Sequence, residues 1–152
     1  MGYEKLIEEA SNIGLIVKEK DLRASDGLCK GKRIAIDKKL KTSREKYCVL
    51  AEEIGHAKLT HGNILNQNDV SNKKQELKAR RWGYTHIVSI KKIIEAYENK
   101  CKDRYEMAEF IGVTDEYFEC AINEYKKIYG VVYKYDRYHI VFEPNLGIYK
   151  TF

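Results

Sequence analysis

The sequence contains a single proline, no glycine- or serine-rich tract and no internal repeat. Nothing therefore marks a linker, and 152 residues suffice for one core. No apolar run approaches the roughly 20 residues that span a bilayer. The opening MGYEKLIEEA carries acids where a secretory signal needs an uninterrupted apolar stretch, so no leader is expected. The four cysteines, Cys29, Cys48, Cys101 and Cys120, form no C-x-x-C pair. That spacing argues against thiolate-held structural zinc and for reduced thiols in a cytoplasmic protein.

What the chain does have is charge. Charged residues make up 34% and apolar ones 43%, the balance of a soluble globular protein. The net +5 is unevenly spread. Cys29–Lys46 holds eight bases against two acids and Lys73–Lys92 seven against one, whereas Ile93–Gly130 holds nine acids against five bases. Such asymmetry either steers an acidic partner or simply solvates a surface.

Hydrophobic spacing outlines the elements. Leu6, Ile7 and Ala10 predict a helix over Tyr3–Asn12, ended by Gly14. LIVKEKDL and KRIAIDKKL read as a pair of short strands separated by the turn-rich SDGLCKGK. Ser43, or its neighbour Thr42, can cap a helix running to about Thr60. Further helices are expected from near Asn72 to Val88, over Ile90–Asn99, Arg104–Ile111 and Asp115–Tyr129. The aromatic and β-branched tail from Val131 predicts two or three short strands with turns at Tyr135–Arg137 and Pro144–Gly147. The fold class is α+β: a compact helical core with small sheet elements at either side of it.

The helix around CVLAEEIGHAKL is unusual. At about 100° per residue, Leu50, Ala51, Ile54 and Ala57 lie within about 80° of Tyr47, and Cys48 and Leu59 extend the apolar arc. Glu52, Glu53 and His56 share what is left. A mostly buried helix with two carboxylates and an imidazole in one sector must compensate them, since burying them unpartnered costs several kcal/mol. A divalent cation is one solution. Glu52 and His56, four apart, stand one turn above another and can both reach an ion. Glu53 projects about 100° away, placed to activate a water. Gly55 leaves room for the close approach of substrate or backbone. A solvated pair of glutamates beside a surface histidine is the plain alternative. For a third ligand, Glu76 is the only acid between Asn72 and Ile94 and precedes Ala79, Trp82 and Gly83 on a face suited to helix packing. His61 competes from the end of the first helix, where a surface role suits it better. His86 and His139 have no partner at ligand spacing.

With both helices considered, the chain resembles the ImmA/IrrE metallopeptidase family. Leu50-Ala51-Glu52-Glu53-Ile54-Gly55-His56 stands where the family has L-A-H-E-L-G-H. Glu76-x-x-Ala79-x-x-Trp82-Gly83 stands where it has E-x-x-A-x-x-F-A. The resemblance implies one domain over 1–152, with a metallopeptidase core at 1–89 built around a gluzincin-type motif helix and a helical and β remainder at 90–152. It implies a zinc-dependent endopeptidase that cuts a helix-turn-helix repressor of a prophage or mobile element. His56 and Glu76 match metal ligands and Glu53 the general base; Glu52 occupies a ligand position as glutamate in place of histidine.

Glutamate ligates zinc at about 2.0–2.2 Å, so the substitution keeps a donor. It lowers the formal charge of a zinc centre from +1 to zero, which acidifies a water less and admits Mn²⁺ as a competitor. Weak metal binding and slow or partner-dependent proteolysis are the expected consequences. The alternative is a metal-free pseudo-peptidase that binds a repressor without cutting it. Direct nucleic-acid binding is not expected. Met107–Lys127 resembles helix-turn-helix, yet Asp115, Glu116 and Glu119 sit where phosphates would be met.

Overall fold

The apolar spacings become helices where expected. In the computed structural model of the chain, residues 2–59 and 69–152 are described, the side chains of 69–71 apart. They form six helices and two three-stranded sheets, an α+β fold. The chain divides into two compact units, Met1–His86 and Ile87–Phe152.

The first unit begins with α1 (Gly2–Asn12), which buries Tyr3, Leu6 and Ala10 at helical spacing. Gly14 ends it in the left-handed region at φ +86°, and the Leu15 amide reaches back to the Ala10 carbonyl at 2.9 Å. Three strands follow: β1 (Ile16–Lys20), β2 (Gly27–Lys30) and β3 (Arg33–Asp37), in the order β1-β3-β2. β1 runs parallel to β3; β2 and β3 form a hairpin through Gly31-Lys32, with Gly31 at φ +59°. The expected strand pair is thus a three-stranded sheet, because Gly27–Lys30, read as turn, is itself a strand. Its four residues have little β-propensity of their own. Pairing with β3 and the packing of Gly27 over α2 decide the matter.

α2 (Ser43–Leu59) is capped by Thr42, the second of the two candidates: its Oγ1 accepts the Glu45 amide at 3.1 Å. Leu50 and Ile54 are fully buried, and together they stabilise the unit by roughly 3–6 kcal/mol. That gain is large enough to offset the partial burial of Glu52, Glu53 and His56 on the same helix. α3 (Asp69–Ile87) starts three residues earlier than Asn72. The expected helix end at Thr60 and the candidate His61 lie outside the described residues.

The second unit holds α4 (Ile90–Glu98), α5 (Arg104–Ile111), α6 (Asp115–Tyr129) and an antiparallel meander of β4 (Val132–Tyr135), β5 (Tyr138–Val141) and β6 (Gly147–Lys150). Ser89, Asp103 and Thr114 each cap a helix by accepting the amide three residues on. Ile93, Val113, Phe118 and Ile140 form its core. The acids at the start of α6 have structural uses. Asp115 and Glu116 lie in its first turn, favourable to the helix dipole, and Glu119 accepts from Arg104 Nη1 at 2.6 Å. Among the described residues no helix is long and apolar enough to cross a membrane.

Candidate metal centre

Two close approaches build the site. At the first, α2 crosses α3 where Gly55 meets Ala79: a Cβ on Gly55 would stand 2.4 Å from the Ala79 carbonyl oxygen. Gly55 therefore serves the approach of a backbone. The crossing brings Glu76, one turn before Ala79, beside His56, one residue after Gly55. At the second, β2 lies on α2 so tightly that a Cβ on Gly27 would be 2.7 Å from Val49 Cγ1 and 2.9 Å from Glu53 Cγ. The strand thus roofs Glu53.

Glu52, His56 and Glu76 converge. Each offers a ligand atom within 4.8 Å of the others. His56 Nε2 stands 3.4 Å from Glu76 Oε2 and 3.9 Å from Glu52 Oε1. Two donors about 2.1 Å from a zinc at the tetrahedral angle would be about 3.4 Å apart. His56 and Glu76 already stand at that separation, and Glu52 is about 0.5 Å too far from His56, so the cluster could close on a small divalent cation by side-chain rotation. Exposure suits a site open on one side: the side chains of His56, Glu52 and Glu76 are 19%, 33% and 50% exposed.

The family comparison adds to this geometry. The family model of the IrrE N-terminal-like domain, peptidase M78, matches residues 8–123. The chain belongs to this family. No curated protein matches it. The M78 match covers α2 and α3 with all four site residues, and it continues beyond residue 89 into α6, further than the two motifs reach. As an M78 member the chain is a metallopeptidase-type protein, and it carries a Glu-His-Glu cluster that could hold a metal ion.

Glu53 has the most strongly shifted carboxyl among the described residues. Burial beneath β2 pushes its pKa up to about 7, the neighbouring carboxylates of Glu52 and Glu76 add to the rise, and His56 opposes it. Glu52 moves the other way, lowered by His56 and by Arg80. His56 is raised, first by Glu52 and then by Glu76 and Glu53. Two carboxyls side by side on one helix are thereby separated into a protonatable one and an ionised one, the division of labour that acid–base chemistry needs.

The sign of the Glu53 shift gives a pH prediction for chelator-treated protein. Between the ordinary carboxyl value of 4.5 and about 7, folded Glu53 keeps a proton that the unfolded chain has lost. This contribution is full below about 4.5 and is lost as pH rises through about 7. His56 contributes with the same sign. Urea unfolding at about pH 5 and about pH 8 should show the fall, and Glu53→Gln should flatten it. An equal slope in the two proteins would contradict the assignment.

Arg80 was not legible as part of the site. Its Nε lies 3.4 Å from Glu52 Oε1, one turn beyond Glu76 on α3. The available signal was the i, i+4 relation to Glu76, which puts Arg80 about 40° from it around the helix. Arg80 supplies the countercharge that a second carboxylate in the cluster demands. Of the other histidines, His86 stacks on Trp82 with ring centroids 4.6 Å apart and stands 2.7 Å from Glu9, tying α3 to α1. His139 lies on β5 opposite Lys134 and Tyr149.

Proposed function

We propose that this M78 protein is a metal-dependent endopeptidase that cleaves a protein substrate, a helix-turn-helix repressor of a prophage or mobile element, in the cytoplasm. The convergence of Glu52, His56 and Glu76 beside a protonatable Glu53 carries this reading. Glu52, His56 and Glu76 would hold Zn²⁺, with Mn²⁺ a competitor for so oxygen-rich a set. The ion would supply Lewis-acid polarisation of a scissile carbonyl and an acidified water. Glu53 takes a proton on its carboxylate and returns it to the leaving amine.

β2 presents the substrate. The strand order leaves its outer edge without a described strand partner, and Gly27 lies directly over Glu53. An extended segment added along Gly27–Lys30 would pass the site with sequence-tolerant backbone hydrogen bonds. β3 cannot take this role: it is central and paired on both sides.

Arg80 bears on the charge of the centre. A divalent ion with Glu52, Glu76 and neutral His56 has formal charge zero; with Arg80 included it returns to +1, the value of a two-histidine, one-carboxylate zinc. The pair Glu52–Arg80 is thus electrostatically equivalent to the family's neutral histidine. Arg80→Gln should tighten Zn²⁺ binding about tenfold or more, by removing a cation near the ion, while slowing proteolysis. Zinc titration calorimetry and a cleavage assay read the two effects separately. The same ion pair favours the second reading, a metal-free module that binds the repressor without cutting it, because Arg80 balances Glu52 with no ion present. In that case Arg80→Gln destabilises the fold, zinc does not bind, and Glu52→His gains no proteolysis.

A further inference from the structure

The face of the N-terminal sheet that turns away from α2 carries a groove of about 420 Å³. Strand alternation sorts the side chains: Ile34 and Ile36 point inward and are buried, so Arg33 and Ala35 point outward, as do Ile16, Lys18 and Lys20 on β1 and Leu28 and Lys30 on β2. The floor is apolar, made of Ala35, Ile16, Leu28 and the loop residue Leu22, with Ile16 51% and Leu28 43% exposed. The rim is basic: Lys18, Lys20, Lys30 and Arg33 line the groove and, among the described residues, no acid does. The loop over its end is fixed. Asp37, only 4% exposed, accepts the Leu22 amide at 3.4 Å and the Lys39 amide at 3.2 Å.

The groove's chemistry and width define its occupant. Among the described residues, the outer face of the sheet leaves two large apolar side chains, Ile16 and Leu28, open to water, which favours an occupant with an apolar stripe. Three strands present a width of about 10 Å, the diameter of one helix. Four cations around an apolar floor call for an occupant that is acidic at its edges and apolar along one stripe. A nucleic-acid backbone would use the cations and leave the floor unused. A lipid surface would favour a protruding face, whereas this one is concave.

We propose that this groove docks an acidic amphipathic helix of a protein partner, laid across the outer face of β1-β3-β2. Such docking needs neither metal nor proteolysis, so it stands or falls separately from the peptidase reading. It would hold a partner on the opposite side of the strand that roofs Glu53, and so act as an anchoring site distinct from the cleft.

The test uses the full chain and a fluorescein-labelled synthetic helix of about 18 residues, leucines on one face and glutamates on the rest. Anisotropy should show binding that weakens as salt rises and shifts the amide resonances of β1, β2 and β3. A peptide of the same composition with its leucines dispersed should bind at least about tenfold more weakly. Lys30→Glu with Arg33→Glu, and separately Lys18→Glu with Lys20→Glu, should each cost about tenfold or more, with thermal unfolding unchanged because these side chains are exposed. Equal binding of the two peptides, or indifference to both charge reversals, overturns the proposal. So does preferential binding of a short DNA duplex or anionic vesicles through the same residues, or self-association of the chain through this face.

Discussion

Glu53→Gln is expected to lower the rate of peptide-bond cleavage by about 10²–10⁴-fold while leaving the metal bound and the fold intact. The side chain is nearly isosteric, so the packing of β2 over α2 is preserved. Glutamine can neither take nor return a proton. Glu53 is outside the trio whose donor atoms converge, so loss of activity should not be accompanied by loss of the ion. In the metal-free protein burial raises its pKa to about 7, so Glu53 holds a proton more tightly than an exposed carboxyl does. The measurement is cleavage of the candidate repressor, or of an unfolded protein such as casein, by metal-loaded wild type and variant, with metal content determined alongside. Equal cleavage by the two would remove Glu53 from the chemistry. Equal relief of repression without cleavage would favour the binding module.

Gly55→Ala should be the most damaging small substitution in the molecule. Its Cβ would lie 2.4 Å from the Ala79 carbonyl oxygen, a backbone atom held within α3, where ordinary contact begins at 3.4 Å. Alanine gains about 1 kcal/mol of helix propensity over glycine. Overpacking costs about 1–3 kcal/mol, and a neighbour that cannot rotate away puts this case at the upper end. The clash therefore wins, and the expected net loss is about 2 kcal/mol of unfolding free energy. The functional effect is larger. If α3 yields by about 1 Å, Glu76 moves away from His56, and donor distances tolerate only about 0.2 Å. Zinc affinity should drop by at least about tenfold even in the fraction that remains folded. Chemical denaturation and zinc titration of the same sample separate the two. Unchanged zinc affinity would mean that the crossing does not set the site.

Much of this site could be read from residue spacing because it depends on local geometry. Glu52, Glu53 and His56 are fixed relative to one another by one helix, and a lone acid in a basic helix singled out Glu76. The readings that needed tertiary information failed in consistent ways. Gly27–Lys30 looked like turn because a four-residue edge strand leaves almost no periodicity, and its β-structure comes from its neighbours. β3 read as one half of a strand pair, because its central place between β1 and β2 cannot be seen in the chain order. Arg80 was hidden among Lys78 and Arg81; only the position of α3 against α2 selects which of these cations faces Glu52. Thr42 in place of Ser43 is an error of one residue at a helix end, where two capping side chains compete for the same amides.

A crystal soaked in zinc and recorded at the zinc absorption edge would test the central claim directly. The account predicts one anomalous peak bonded at about 2.0–2.2 Å to His56, Glu76 and Glu52, with Glu53 beside it and outside bonding distance. No peak there, with Arg80 still paired to Glu52, would contradict it and leave a peptidase fold that binds without cutting.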